Sequence, residues 1–569
     1  MKKLLLIITS FFLFLGVGAQ TSVWDGSASA WSKGDGTKDN PFLIESAAHL
    51  AYLSQQTAMS QTYDGHYFRL ETDIDLNNRA WIPVGGRNMQ GNESGYPFRG
   101  VFDGNNKTVS NLSVNFPNQK CIGLFGSLYG ATIKNLNISG NISYIGKEYF
   151  GAIAGDIDQC QIINCSNQSN IIVNDGGFIG GIVGRANDSF FWKCSNNGNI
   201  SGTSRIAGIV GDAGDCIIND CNNKGQISAE HTTGGIGGYV GDITFINCYN
   251  NGSVEATTTN GGCGGIAGSI YQSSSSLCTI TNCYNTGTLT GIKDVGGIVG
   301  EVSYSISLNN SYNMGIITAN NNFGAIIGKI GTNTDVSNCY YLNTCIAKNN
   351  DYGISQTSEN MKTQLFVNTL NASQDVTPWK IDNSQNDSYP VLIVSPYVKT
   401  LAATNITDRL ALLNGIVLKG EEEIVSQGFR FKKYGTSSYS TEIVNGNNIS
   451  SSIICESASG YIFQAFATTA SGTYYGDEQT FVTTGTAGIE NVDQSKSAVY
   501  PNPSSTYIHI PYRYGNEESV LYIYDNSGKQ VDIKILNVSD TEMTIDVSSL
   551  KKGVYFYKLN NASGKFVVN

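Results

Sequence analysis

The chain has 569 residues, a formal net charge of −11 and only 14% charged residues. The acidic balance disfavours nucleic acid and anionic membranes as partners. With 65 Gly and 31 Tyr, the composition favours an all-β protein over a helical one, and the length predicts several domains.

The first 19 residues are typical of a signal peptide. Lys2 and Lys3 precede an apolar run from Leu4 to Leu15, and small residues follow, which predicts cleavage between Ala19 and Gln20. An uncleaved membrane anchor is the less favoured alternative, because the apolar run is short. No later run approaches the ~18 apolar residues of a membrane helix, so we expect no transmembrane segment in the mature chain.

Residues 24–56 are predicted to cap the N-terminal end of a solenoid. Asn40–Ile44 is a predicted strand, and Ser46–Gln56 is a predicted helix with Leu50 and Leu53 on its apolar face. Such caps cover the open strand edges of a repeat array. Residues 68–114 are predicted to form irregular first coils.

A glycine phrase then recurs at steps of 27 to 32 residues. One copy is Gly180-Gly181-Ile182-Val183-Gly184. The closing glycines of the eight copies are Gly126, Gly155, Gly184, Gly211, Gly241, Gly268, Gly300 and Gly328. Repetition at this period with β-branched, Gly- and Asn-rich segments predicts a parallel β-helix, which we assign to residues 20–396.

A second phrase, of the form Asn-Cys-x-Asn, follows each glycine phrase. Examples are Asn164-Cys165-Ser166-Asn167 and Asn247-Cys248-Tyr249-Asn250. In stacked coils about 4.8 Å apart, branched apolar residues should fill the interior, an Asn column can chain amide hydrogen bonds, and Gly suits tight corners.

The chain has 13 Cys, six of them at one repeat position. A disulfide framework is possible in a secreted protein, but stacked free thiols are the favoured interpretation. Pairs five residues apart, such as Cys160 and Cys165, are expected on opposite sides of a strand. Cys-x-x-Cys and clustered His are missing, so we predict neither a metal site nor a cofactor.

The residue after the repeat Cys is Tyr in the last four copies. If Cys points inward, alternation along the strand sends these side chains outward. Tyr249, Tyr284, Tyr312 and Tyr340 are therefore predicted to form an exposed aromatic stripe that binds a sugar or a protein partner. The alternative is a stacked column that only stabilises the coils.

Several motifs resemble the GLUG-repeat family of bacterial surface and adhesin-like proteins. They include Asp73-Ile74-Asp75-Leu76, Phe102-Asp103-Gly104-Asn105 and Gly123-Leu124-Phe125-Gly126. GLUG repeats also precede the catalytic part of some immunoglobulin-A-cleaving metalloproteases. The resemblance spans roughly residues 24–395, with a closing segment from Phe366 to Leu392. It implies an adhesin-like surface protein whose ligand is a glycan or a host protein.

Two short β modules follow the repeats. Residues 397–485, with Gln427-Gly428-Phe429, resemble a fibronectin type III-like sandwich of the kind that usually acts as a spacer in Bacteroidetes surface proteins. Residues 486–569 resemble the type A C-terminal sorting domain of the type IX (Por) secretion system. The residues that carry this second resemblance are Tyr500, Pro501, Asn502, Pro503, Asp525, Gly528, Lys529 and Gly553. It implies handling by the type IX machinery, periplasmic transit, and a secreted or outer-membrane-surface location.

No catalytic motif is visible in the sequence. The four His are dispersed, and His-Glu-x-x-His and Gly-x-Ser-x-Gly are missing. Charged residues such as Asp212 and Asp242 follow the closing glycines; they are predicted to form a solvated edge, with a catalytic row as the alternative. A binding protein is therefore the first hypothesis. A carbohydrate-active β-helix enzyme and a purely structural surface component are the alternatives.

Overall fold

The structure is a computed structural model. It describes residues 21–86, 96–114, 120–145, 149–174, 176–271, 277–346, 352–485, 499–511, 521–539, 542–559 and 562–569. The predicted signal peptide, with its Ala19–Gln20 cleavage site, lies outside the described residues.

Short β-branched segments build the predicted all-β fold: parallel coils stack into a solenoid of about ten turns, followed by small antiparallel sheets. In each regular coil three strand segments pair in register with the coils before and after. Ile162, for example, pairs with Ile133 on one side and Phe191 on the other. The fold class is confirmed.

Sheet 1 contains 21 strands among the described residues. They are Thr21–Val23, Phe42–Ile44, Tyr67–Leu70, Asp73–Asp75, Val101–Ser110, Thr132–Ser139, Gln161–Ile163, Ser166–Asn167, Phe190–Trp192, Ser195–Asn196, Ile217–Asn219, Asn222–Asn223, Thr244–Ile246, Tyr249–Asn250, Cys278–Thr281, Tyr284–Asn285, Ser305–Asn309, Tyr312–Asn313, Asn333–Ser337, Tyr340–Leu342 and Ile354–Gln356.

Sheets 2 and 3 complete the coils, with 13 and eight strands in the described part of the chain. Sheet 2 consists of Cys121–Ile122, Asn141–Ile145, Tyr149–Gly151, Asn170–Asn174, Gly177–Gly180, Ile200–Gly202, Ser204–Ala207, Ile227–Ala229, Thr233–Gly234, Val254–Ala256, Cys263–Gly264, Leu289–Gly296 and Ile317–Gly324. Sheet 3 consists of Phe125–Tyr129, Ala154–Asp158, Val183–Asn187, Val210–Gly214, Gly237–Gly241, Ala267–Tyr271, Val299–Val302 and Ile327–Lys329.

A buried Asn ladder runs through six consecutive coils, as expected. In each step the amide Nδ2 donates to Oδ1 of the next Asn at 2.7–2.8 Å and also to the backbone carbonyl two residues on. The rungs are Asn167, Asn196, Asn223, Asn250, Asn285 and Asn313, all 0% exposed. Because every buried amide hydrogen-bonds to its neighbours, the column fixes the register of the stack.

None of the 13 cysteines, all of which lie in the described residues, forms a disulfide, and twelve are buried. Burial raises the pKa of the Cys160 and Cys216 thiols to about 12, which keeps them protonated and unreactive. The expectation that Cys160 and Cys165 face opposite sides is wrong, because both are buried. Asn164 lies between them in the left-handed region (φ 50°) and interrupts the strand alternation.

One repeat boundary differs from the sequence assignment. Val210 pairs with Gly237 and Gly237 with Ala267, so the glycine that stacks on Gly211 and Gly268 is Gly238, not Gly241. Asp242 consequently leaves the charged column, and Tyr239 takes its place beside Asp212.

The described residues contain three α-helices: α1 (Ala47–Ala58), which precedes the regular coils, and α2 (Ser358–Met361) and α3 (Gln364–Leu370), which follow them. The predicted N-terminal helix is confirmed as α1, with Leu50 and Leu53 fully buried and the Ser46 hydroxyl accepting the His49 N–H. A 3-10 turn at Asn386–Ser388 and an antiparallel pair, Trp379–Ile381 with Pro390–Leu392, follow α3.

A sandwich of two antiparallel sheets follows. Its three-stranded sheet is Tyr397–Thr404, Leu410–Leu418 and Asn448–Ile454, and its five-stranded sheet is Ser426–Lys433, Ser440–Ile443, Gly460–Thr469, Gly472–Tyr475 and Gln479–Val482. It belongs to one compact unit with the solenoid, which extends to Thr483.

The C-terminal unit begins at Thr484 and has its own apolar core. Two three-stranded antiparallel sheets form it in the described residues. Their strands are Tyr507–Pro511, Leu521–Tyr524, Lys534–Val538, Glu542–Asp546, Gly553–Leu559 and Ala562–Val568.

Candidate functional site

The predicted tyrosine stripe forms a column, but it is not an exposed ligand surface. Tyr249, Tyr284 and Tyr312 stack with ring centroids 4.9 and 5.2 Å apart. Tyr284, Tyr312 and Tyr340 are 3%, 0% and 7% exposed, and Tyr249 is partly buried. The side chains do leave the coil interior, but the predicted closing segment covers them. In the structure this segment begins earlier than predicted, with α2, so we use the name for residues 358–392 from here on.

Hydrogen bonds attach this closing segment to the column. The Tyr312 hydroxyl donates to the Pro390 carbonyl at 2.6 Å and accepts from Asn386 Nδ2 at 2.8 Å. Trp379 packs on Tyr312 at 5.5 Å, and its Nε1 donates to Asn282 Oδ1. The contacts identify the column as a packing surface for the closing segment.

A second aromatic row lies where sheets 2 and 3 meet, and its ring faces are also occupied. The Arg205 guanidinium lies over Phe178 at 4.5 Å and Tyr239 at 4.3 Å, and Tyr239 stacks on Tyr271 at 4.4 Å. Arg185 binds both Asp156 oxygens. Because the planes stack on one another, little aromatic face remains for a sugar.

The same row contains Asp212 of the predicted charged edge. Burial raises the pKa of this carboxyl, while Arg205, 2.7 Å away, acts in the opposite direction. Asp212 stacks beside Tyr239, and Asp242 lies in a turn at φ 49°. The two carboxylates that the sequence placed in one catalytic row therefore occupy different columns.

The sandwich docks on the outer face of sheet 1. Tyr397 packs against Phe190 and Trp192 with ring centroids 5.1 and 5.7 Å away. Asp220 accepts the Ser395 N–H at 3.2 Å and the Ser395 hydroxyl. Burial raises the pKa of Asp220 to about 7, although the Ser395 hydrogen bonds oppose this.

A cleft of about 770 Å³ separates the early coils from the docked sandwich. We call it the coil–sandwich cleft. Trp192 and Thr132 line its solenoid side, and Tyr397, Leu401 and Leu418 line its sandwich side. A smaller cavity of about 340 Å³ adjoins it and shares Tyr397 and Lys399. Of the surfaces described, this one combines depth, aromatic side chains and charge.

The cleft is cationic in an acidic protein. Six basic side chains and two Asp (Asp39 and Asp103) line it, whereas the whole chain carries a net charge of −11. The basic residues are Lys38, Arg69, Lys134, Lys193, Lys399 and Lys419. Arg69, Lys134 and Lys419 form ion pairs with Glu71, Asp103 and Glu423.

Lys38, Lys193 and Lys399 differ from those paired cations. Within the described residues, no carboxylate lies within 4 Å of these three ammonium groups. Burial lowers the pKa of Lys399, although Asp477 at longer range acts in the opposite direction. A partly desolvated ammonium without an ion-pair partner favours an anion from outside the chain.

The repeat pattern breaks in this cleft, at Trp192-Lys193. Six other coils place Asn or Asp at the left-handed corner before the repeat Cys or Ser, whereas Lys193 adopts φ 56° there. The nearby coils place Lys134, Ile163, Asn219, Ile246 and Thr281 in the column of Trp192, and the buried Trp192 Nε1 has no hydrogen-bond partner among the described residues. Strained or unsatisfied positions of this kind are enriched at functional sites.

Sequence reasoning missed this pair, although its signal was visible. Lys193-Cys194-Ser195-Asn196 is the copy of the second phrase with Lys in place of Asn or Asp. The partners from the sandwich carry no comparable signal, because Tyr397 and Lys399 follow about 200 residues later in an ordinary alternating strand.

The predicted sorting residues shape local structure in the C-terminal unit. Asp525 Oδ1 accepts the backbone N–H of Ser527 and Lys529, and Gly528 adopts φ 83° in the same turn. Asn502 Oδ1 accepts the Val567 N–H at 2.8 Å, and Gly553 starts the strand Gly553–Leu559. Tyr500, Pro501 and Pro503 flank Asn502, and the Tyr500 hydroxyl donates to Glu542.

Two properties of the described residues concern metal ions and membranes. No group of three or more His, Cys, Asp or Glu is arranged there to hold a metal ion. Among the described helices, none has the length and apolar character needed to cross a membrane.

The tail has a recognised family match. Residues 498–569 match the family described as the secretion system C-terminal sorting domain (Por_Secre_tail). A tail of this family indicates export by the type IX machinery, and thus a secreted or cell-surface protein.

Other likenesses cover parts of the chain. It is 37% identical over 126 residues to halomucin of Haloquadratum walsbyi and 31% identical over 141 residues to a putative Gly-rich membrane protein of Evansella cellulosilytica. These alignments cover 22% and 24% of this chain but only 1% and 15% of those proteins.

Among solved structures, an IgA1 protease aligns with 60% of this chain and 25% of its own, at 18% identity and a TM-score of 0.35. The fibronectin domains FN1–FN3 of chicken CNTN1 align with 31% of this chain and 65% of theirs, at 18% identity and a TM-score of 0.14.

Proposed function

We propose that this exported protein is an adhesin-like binding protein, that its solenoid is built from GLUG repeats, and that its ligand lies in the coil–sandwich cleft. The observation that carries the proposal is the cleft itself, formed by two modules that Tyr397 and Ser395 attach to each other. Concave sites at domain boundaries are where ligands most often bind. A glycan or a host protein loop would fit a cleft of this size.

The proposed role is binding without turnover. The carboxylates that would be candidates for an enzyme site are engaged within the protein, since Asp212 pairs with Arg205 and Asp103 with Lys134. The tail would direct the protein through the periplasm to the outside, where it is released or attached to the cell surface.

A steric block tests the cleft. The mature full-length chain is compared with Leu401→Trp, which adds bulk to the cleft wall, and with Ile443→Trp on an exposed strand of the same sandwich. On a glycan and host-protein array, we expect saturable binding by the parent and Ile443→Trp and loss of binding by Leu401→Trp. Equal binding by all three would exclude the cleft, and release of shortened glycan would show turnover instead.

A further inference from the structure

The cleft presents cations that no carboxylate contacts. In the described chain no carboxylate lies within 4 Å of the ammonium groups of Lys38, Lys193 and Lys399; Asp220 and Asp477 act on the latter two only at longer range. All three residues line one cleft. The group that satisfies such a set is an acceptor with negative charge.

Amide side chains accompany these cations. Trp192 and Tyr397 pack against each other at 5.7 Å and are 2% and 5% exposed, so their ring faces are already covered. The Asn amides that line the cleft are Asn135, Asn164, Asn447 and Asn448. Amides beside cations suit a ligand that has both hydroxyl groups and an anionic substituent. A sugar ring with a carboxylate or sulfate has this combination.

The backbone conformation at position 193 is one that the other coils give to Asn or Asp. Asn or Asp adopts the left-handed conformation more readily than Lys, and the corresponding corners at Asn164 and Asp220 follow that preference. Lys193 therefore carries a conformational cost that Asn would avoid. Its charge acts on Asp220 within the chain, and an anionic ligand in the cleft would give it a second partner.

We propose that the coil–sandwich cleft binds an acidic polysaccharide, with Lys193 and Lys399 pairing with its carboxylate or sulfate groups. This inference rests on the proposed binding function and adds its ligand class. The overall net charge of −11 makes nonspecific attraction of a polyanion unfavourable, so binding must come from a local site.

Matched polymers test the ligand class on the full-length mature protein. Polygalacturonate is compared with its methyl-esterified form, and dextran sulfate with dextran, so that carboxylate and sulfate are separated. We expect one of the two acidic polymers to bind and both neutral ones to fail. Binding of a neutral polymer that Leu401→Trp abolishes would keep the proposed function and overturn this inference. Failure of both acidic polymers would also overturn it.

Charge-matched variants then locate the site. Lys193→Asn and Lys399→Gln should each weaken binding at least about tenfold and reduce its salt dependence, whereas Lys224→Gln, on an exposed turn outside the cleft, should have no effect. Lys193→Asn should also melt at the same or a higher temperature, because it restores the preferred corner residue. Equal loss in Lys224→Gln, or intact binding in both cleft variants, would overturn the proposal.

Discussion

At the scale of single residues, the corner before the repeat Cys shows how backbone conformation selects the side chain. Asn164, Asn247 and Asn282 adopt φ between 50° and 55° there, which Asn tolerates because its short amide hydrogen-bonds locally. Asp220 occupies the same corner and uses its carboxylate to hold Ser395. The same corner position therefore stabilises the coil in most repeats, and in one repeat, at Asp220, it also attaches the sandwich.

This attachment should depend on pH. The pKa of Asp220 is about 7 in the folded protein, against an ordinary value of 3.8 that we take for the unfolded chain. Between these two pKa values the Asp220 carboxyl is protonated in the folded protein and ionised in the unfolded chain. The stabilising contribution is full below pH 3.8 and disappears as the pH rises to 7, a loss on the order of a few kcal/mol.

Asp220→Asn tests this dependence. Asn retains an acceptor for Ser395, suits the left-handed corner, and does not titrate. We expect the variant and the parent to melt alike near pH 4, and the variant to melt at a higher temperature at pH 8, measured by circular dichroism. A difference between the two proteins that stays constant from pH 4 to pH 8 would contradict the assignment.

At the scale of elements, the closing segment explains why the repeats change along the chain. The residue after the repeat Cys or Ser is small or polar where the closing segment does not reach, as at Ser166 and Asn222, and Tyr where it does. The sequence pattern correctly predicted that these side chains leave the coil. It could not predict that a later segment covers them. Strand alternation shows whether a side chain points into or out of the coil, but not whether another part of the chain packs on the outside.

Tyr312→Phe tests this packing. It removes the hydrogen bonds to the Pro390 carbonyl and Asn386 while keeping the ring, so the unfolding free energy should fall by about 1–3 kcal/mol. Proteolysis within residues 358–392 should become faster. Tyr304→Phe, at a position 53% exposed, is the matched control and should change neither quantity. Equal effects of the two substitutions would show that the Tyr312 hydroxyl does not hold the segment.

The glycine phrases show a second limit at this scale. Residues 234–241 contain two overlapping versions of the phrase, Gly234-Gly235-Ile236-Gly237-Gly238 and Gly237-Gly238-Tyr239-Val240-Gly241. Only the stack distinguishes them: a Cβ on Gly238 would lie 2.4 Å from the Gly211 carbonyl oxygen, so this position needs Gly. Period alone locates a repeat to within a few residues.

At the scale of the whole molecule, periodicity was enough to predict the solenoid but not the candidate site. Each coil contacts its neighbours in sequence, so local patterns determine the stack. The cleft depends on Ser395 reaching Asp220 and Tyr397 reaching Trp192, contacts between residues about 200 positions apart. These contacts join complementary side chains of two modules, and no pattern within either module predicts them.

The division into two units makes a prediction about export. Residues 484–569 form their own unit, and the sorting-domain match begins at residue 498. Deletion of residues 487–569 should therefore leave the first unit folded, with an unchanged melting temperature, and retain it in the periplasm. Cell fractionation measures this, with full-length Lys224→Ala as the exported control. Normal surface delivery of the truncated chain would refute the role of the tail.

The most direct test of the central claim is hydrogen exchange of the full-length protein with and without the acidic polymer that binds more tightly. Our account predicts slower exchange on both walls of the coil–sandwich cleft, around Trp192–Lys193 and in Tyr397–Leu401, and no change around Arg205 and Tyr239. Slower exchange confined to the residues around Arg205 and Tyr239, with the two cleft walls unchanged, would contradict our account.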